Sequence, residues 1–393
     1  MSPVNPILVL PALLLVLLTV YGLNFLTRFR PAPVTYPAID GLRGYLAFFV
    51  FLHHASLWYF YLHTGSWGEP PSRLFIHFGQ TSVALFFMIT AFLFFRKLVE
   101  SGRRPVDWLQ FYSGRILRLW PVYLLAMTCC LVIIMAISAP RFMFPGTSWL
   151  RGWLPWCLFG LAGRPPVNHT FLMDRITAGA TWTLIYEWLF YAFLPLIGYL
   201  FFRSKVPVLL LLLSGIIVWV IVEFNVLAPI HFFSFGMGIV AAFATGREKR
   251  DPSLMVKRLL GLLAFTCLAA DLYFFTSPYA ILPITLIGVL FLIVARGNTL
   301  FGLLTTTVSR SLARISYPFY LLHPIALFVT MRILAGYGWV RSAGPLAYWS
   351  MIAVTGVALV IACLAVHVLL EKPFMKPRRR SLPAGIDPAA RSS

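Results

Sequence analysis

Eleven apolar runs, each near the length that crosses a bilayer, leave this chain few folds to choose from. They lie at roughly 6–26, 42–63, 74–96, 119–139, 181–202, 206–226, 229–245, 258–276, 279–295, 313–333 and 346–370. About 20 residues of helix span a hydrocarbon layer about 30 Å thick. In lipid every backbone N–H and C=O must bond within the protein, so spanning segments are helices or closed barrels. A barrel would show short segments of alternating polarity, whereas these runs are continuous. The sequence predicts an all-α, polytopic integral membrane protein with about 10–11 transmembrane helices. The run at 229–245 is short, and the division of 206–245 is the least defined. Hydrophobic residues make up 60% of the 393 residues and charged ones 11%, a balance that no water-soluble domain of this size shows. No soluble domain is left over.

Charge then sets the expected orientation. Basic residues gather at Arg28 and Arg30, from Arg96 to Arg118, at Arg203 and Lys205, from Arg247 to Arg258, from Arg296 to Arg314 and from Lys372 to Arg380, while the turns at 225–229 and 276–279 have none. Short basic loops stay in the cytoplasm, so eleven spans put the amino terminus outside and the carboxyl terminus inside. The first run has no Lys or Arg before it and Arg28 and Arg30 after it, so it reads as a retained anchor over 1–35 rather than a cleavable signal. The net charge of +20 is spread over membrane-facing loops. That distribution suits topology and anionic lipid, and it argues against nucleic acid as a partner. Five cysteines lie mostly in or beside apolar runs without metal-ligand spacing, and no metal is expected. The polar tail 377–393 is expected to be disordered in the cytoplasm.

The informative residues are the polar ones inside the runs. An ionisable side chain at the centre of a span costs about 2.5–3.5 kcal/mol on insertion scales, so it usually lines a cavity. In "GLRGYLAFFVFLHH", Arg43 and His54 are eleven positions apart. At 100° per residue they share a helix face, about 16 Å apart along the axis, with His54 about 18 Å deep. The plainer reading of His54 is a neutral ring bonded to a neighbouring helix. His53 points about 100° away and reads as structural. Asp40, one turn before Arg43, is placed to hold its guanidinium.

"TWTLIYEWLFY" puts Glu187 about 9 Å below the outer surface, near His54 in depth. "RISYPFYLLHP" adds His323 about 13 Å above the cytoplasmic side, with Ser316 on nearly the same face. Its prolines, Pro318 and Pro324, free backbone groups for bonding. "RPVDWLQFYSGRILRLWPVY" reads as an interfacial helix running into the fourth span. Its Arg115 and Arg118 are spaced to clamp phosphate groups. For each, helix-to-helix bonding or lipid headgroup contact is the structural alternative. Two functions remain open at this point: a proton-coupled transporter using the His, Glu and Arg path, or an enzyme with His54 as general base and a basic cytoplasmic face for a phosphorylated donor.

Taken in order, "YPAIDGLRGYLAFFVFLHH", "GRILRLWPVYLL", "TWTLIYEWLFY" and "ISYPFYLLHP", closed by "EKPF", resemble the acyltransferase-3 family of membrane O-acyltransferases over about residues 36–376. Arg43 and His54 match the family's Arg-x10-His, Arg115 and Arg118 its Arg-x-x-Arg, and Glu187 the acid of its Trp-Ser-Leu-x-x-Glu pattern. Thr183 stands where Ser is commoner, and Tyr186 is bulkier than the usual residue there, a change expected to reshape the acceptor pocket. The first span is an addition to the ten usual in the family.

The resemblance implies transfer of an acyl group, usually acetyl, from acetyl-CoA or another acyl-CoA to a hydroxyl of an envelope carbohydrate or lipid-linked sugar, in a bacterial inner membrane. On that footing Arg43, Arg115 and Arg118 bind the donor phosphates. His54 removes the acceptor proton or carries the acyl group, and Glu187 orients it, with Asp40, His323 and Ser316 in support. Trp149, Trp153 and Trp156, in the loop 140–180, are candidates for stacking on sugar or for anchoring at the interface. Acceptor identity, acyl length and oligomeric state are left open.

Overall fold

The computed structural model describes residues 2–28, 33–101, 106–138, 148–168, 170–202, 206–224, 228–246 and 252–374. The tail 377–393, Arg30, Arg203, Lys205 and Arg247 lie outside them. Each apolar run falls on a helix: α1 (Leu10–Leu26), α2 (Pro37–Thr64), α3 (Arg73–Ser101), α4 (Trp108–Ile137), then two short helices α5 (Ser148–Trp153) and α6 (Leu172–Ile176), then α7 (Trp182–Phe202), α8 (Val208–Phe224), α9 (Pro229–Ala244), α10 (Leu254–Phe274), α11 (Ile281–Ala295), α12 (Thr307–Val329), the short α13 (Tyr337–Ser342) and α14 (Pro345–Val366). Single π-helical turns extend α12 over Thr330–Leu334 and α14 over His367–Glu371.

Seven described helices are long and apolar enough to cross a membrane: those within Pro6–Leu26, Pro37–Thr64, Arg73–Glu100, Trp108–Ile137, Trp182–Phe201, Thr307–Leu334 and Pro345–Phe374. Val208–Ile217, Pro229–Ala244 and Ile281–Ala295 are shorter apolar helices, and α10 carries Lys257, Arg258 and Asp271. Leu14 and Leu18 on α1, Leu209 and Leu212 on α8, and Leu259 and Leu262 on α10 are exposed, a surface that only lipid would cover without penalty. The protein is an all-α, multi-pass membrane protein.

Local chemistry sets the helix ends. Pro37 opens α2 where its missing N–H has no partner to lose, and Gly65, at φ 76°, closes it with its N–H on the Tyr61 carbonyl. Asp107 caps α4 by accepting from the Gln110 N–H at 2.9 Å, and Thr306 caps α12 by accepting from the Ser309 N–H at 3.1 Å. The expected interfacial helix and fourth span are one continuous helix through Pro121.

Helices α2 and α12 run parallel, as do α1 and α14, and α1 runs antiparallel to α12, as end-to-end bonds show. At one end the Arg341 guanidinium donates to the Leu62 carbonyl and the Trp349 indole to the Pro3 carbonyl. At the other, Ser311 donates to the Asn24 side chain at 2.7 Å and the Tyr45 hydroxyl to the Leu303 carbonyl at 3.4 Å. Helices α2 and α12 make the most extensive contact of any pair. Gly44 permits it, since a Cβ there would lie 2.6 Å from Leu312 Cβ and 2.7 Å from the Ala313 nitrogen. The two helices so joined carry Arg43 and His54 on one side, Ser316 and His323 on the other.

Candidate active site

Arg43 on α2, Arg115 and Arg118 on α4, Glu187 on α7 and Ser316 on α12 line one cavity of about 120 Å³. Four helices thus deliver five of the polar residues singled out in the sequence. Asp40 lies outside it, 3.9 Å from Arg43 Nη1, where it holds the guanidinium as its spacing suggested. Arg115 stands over the Phe94 ring at 4.2 Å and faces Tyr191 at 5.9 Å, so its charge is presented from an aromatic seat. The Tyr191 hydroxyl donates to Glu187 Oε1. Thr90, Thr183, Tyr317 and Tyr320 complete the polar lining, with Phe86, Phe87 and Phe94 among the apolar walls.

His54 is not in that wall. Its Nδ1 lies 2.9 Å from His323 Nε2 and 3.1 Å from the Val50 carbonyl, and the two rings are 5.0 Å apart. His323 is fully buried, its Nδ1 3.2 Å from the Phe319 carbonyl. Both Nδ1 atoms face helical carbonyls, and carbonyls accept only. The proton arrangement that satisfies both has His323 donating to Phe319 and His54 donating to His323 Nε2. In that arrangement His54 Nε2 carries the ring's lone pair, and the ring also borders the Ala178 backbone. Pro324 has no N–H for the Tyr320 carbonyl one turn back, and the His323 ring faces that freed group too.

Tyr320 connects the two parts. Its hydroxyl is 2.9 Å from Thr183 Oγ1 at the cavity wall, and its ring is 5.8 Å from that of His323. The cavity therefore runs from the arginines to the edge of the histidine pair.

Two expectations are revised. Glu187 was to orient His54, but its hydroxyl partner is Tyr191, and His54's ring partner is His323. The Tyr186 hydroxyl accepts from the Ala228 N–H at 3.0 Å and its ring packs on His231. Trp156, offered for stacking or anchoring, is fully buried and donates to the Pro165 carbonyl, while Trp153 donates to the Met127 carbonyl. His53 donates to the Phe75 carbonyl at 2.7 Å and packs on Gly79, a structural position.

The structure also adds residues that the sequence did not single out. Glu371, 2% exposed, lies 3.9 Å from Arg118 Nε and 2.7 Å from His367 Nδ1. His77 and Asp271 form a buried pair at 3.0 Å between α3 and α10. Tyr191 was legible, one turn after Glu187 in the same motif. The five cysteines are unpaired, and no group of three or more His, Cys, Asp or Glu is placed to hold a metal among the described residues.

The structure is a bundle of apolar helices with an arginine-lined cavity beside a buried histidine pair, and sequence comparison places it among the membrane acyltransferases. Residues 36–368 match the profile of the acyltransferase-3 family, described as an acyltransferase domain, and the chain belongs to that family. Neither a curated protein nor a solved structure matches it.

Proposed function

We propose that the protein transfers an acyl group, most simply acetyl, from cytoplasmic acyl-CoA to a hydroxyl of an envelope carbohydrate or lipid-linked sugar at a bacterial inner membrane. The observation that carries this is the convergence of Arg43, Arg115 and Arg118 in one cavity whose far wall, Tyr320, abuts the His54–His323 pair. Three guanidinium groups converge on one cavity, with Glu187 in its lining and Asp40 and Glu371 at its edge, and such a cluster of fork-shaped donors suits the phosphate groups of a donor.

Length agrees with the assignment. Arg43 and His54 are about 16 Å apart along α2. The pantetheine arm is an extended chain equivalent to about four residues, roughly 14 Å. With its phosphates at the arginines, its thioester carbonyl comes to the histidines.

In this mechanism His54 Nε2 accepts the proton of the attacking hydroxyl. The hydroxyl oxygen bonds to the thioester carbonyl carbon, the carbon–sulfur bond breaks, and the departing sulfur takes the proton from His54, giving an ester and free CoA thiol. His323 holds the ring by accepting from Nδ1 throughout. With the arginine end in the cytoplasm, the acceptor approaches from the opposite end of the bundle. The test is acetyl-CoA binding and turnover by the purified protein in detergent. Binding that weakens when Arg115 and Arg118 become Ala, with turnover lost in His54→Ala, supports the reading; wild-type protein that binds no acyl-CoA removes it.

A further inference from the structure

Arg118 is one of three arginines in the donor cavity, but it alone among them has a carboxylate partner from the far end of the chain. Glu371 Oε1 lies 3.9 Å from Arg118 Nε, and its other oxygen, Oε2, is 2.7 Å from His367 Nδ1. Glu371 is 2% exposed, whereas the Arg118 side chain keeps 28% of its surface. The carboxylate is therefore fixed inside the protein while the guanidinium reaches outward from it. The contact is made through Nε, at the root of the guanidinium, and not through its terminal fork.

The backbone is shaped for this contact. His367–Glu371 is a π-helical turn at the end of α14, and such turns shift the side chains that follow relative to a regular helix. The π turn and the His367 bond together aim Glu371 at α4, and α4 and this turn are in direct contact. A buried carboxylate with two cationic or polar partners, one of them in a ligand cavity, is a costly feature to keep for packing alone.

We propose that Glu371, held by His367, is a positioning residue that orients Arg118 so that its terminal fork faces the phosphate groups of the donor. This rests on the donor reading above. It makes a prediction opposite in sign to simple electrostatics. Neutralising an acid beside an anion site removes repulsion and would tighten anion binding. If the acid's work is to aim the arginine, neutralising it loosens Arg118 and weakens binding.

The experiment measures acetyl-CoA binding and steady-state transfer for full-length wild type, Glu371→Gln, Glu371→Asp, Arg118→Ala and the double variant Arg118→Ala with Glu371→Gln, with thermal midpoints recorded for each. In Glu371→Gln the KM for acetyl-CoA rises about tenfold, the scale of one oriented charge-assisted contact, while kcat stays within about twofold. Glu371→Asp recovers part of the loss, and the double variant is no worse than Arg118→Ala alone. If Glu371→Gln does not fold, His367→Ala, which keeps the carboxylate but frees it, shows the same KM rise. Binding that tightens or stays unchanged in Glu371→Gln, or losses that simply add in the double variant, overturns the proposal while wild-type binding leaves the donor reading standing. Wild type that binds no acetyl-CoA removes both.

Discussion

His323 Nε2 and His54 Nδ1 meet at 2.9 Å across the interface of α12 and α2, from positions 269 residues apart in the chain. The bond gives each ring one defined job. His323 anchors to the Phe319 carbonyl and accepts; His54 donates and keeps its second nitrogen basic.

Removing either ring has unequal consequences. His54→Ala lowers acetyl transfer by about 10²–10⁴-fold, the range of a lost general base. His323→Ala leaves the base in place but unoriented, and the expected loss is smaller, about 10-fold to 100-fold, as for groups that only orient a reacting residue. Turnover of acetyl-CoA by both purified variants checks the order; equal losses would mean that the two rings act as one unit.

Arginine chemistry at the cavity is tested by conservative exchange. Arg115 sits over Phe94 at 4.2 Å, a stacked position that an ammonium does not reproduce. Arg115→Lys weakens acetyl-CoA binding nearly as much as Arg115→Ala, read by titration of the purified protein. Full retention by Lys would mean that a point charge is all the site requires.

Close approach at Gly44 predicts a stability effect beside the site. A Cβ there meets Leu312 Cβ at 2.6 Å and the Ala313 nitrogen at 2.7 Å, so Gly44→Ala forces α2 and α12 apart at a cost of about 1–3 kcal/mol. A lowered thermal midpoint in detergent, with transfer reduced because the histidines separate, is the expected outcome.

The buried pair of His77 and Asp271 gives a contrasting control. It joins α3 to α10 away from the cavity lining, so His77→Ala, which leaves Asp271 buried and unpaired, destabilises by about 3–5 kcal/mol. The donor KM of whatever folded protein remains is unchanged. A KM shift at equal folded fraction would tie this pair to the donor path.

What the sequence made legible follows from what a single helix determines. Run length located the helices, and 100° periodicity put Arg43 and His54 on one face of α2; Arg43 lines the cavity with Ser316 of α12, and His54 bonds His323 of the same helix. Depth was less informative. His54 and Glu187 were matched because both lie at similar heights, but height does not say which helices touch, and α2 packs most closely on α12. Glu371 was readable as an acid in an apolar run, with His367 one turn before it; its link to Arg118 depends on α14 returning beside α4. The apolar runs at 229–245 and 279–295 were short already in the sequence, and α9 and α11 follow them closely as short apolar helices.

Helix α1 lies before residue 36, where the family match begins, yet it packs on α14 and α12. Val16 faces Gly356, and Asn24 receives the Ser311 hydroxyl. For the matched domain this helix is a tethered ligand. Being on the same chain, it meets its groove at an effective concentration set by a short connection rather than by expression level or membrane composition. Any excursion of α12 that would need that face free must first displace it, so the helix bearing His323 is braced by an element that lies outside the matched residues.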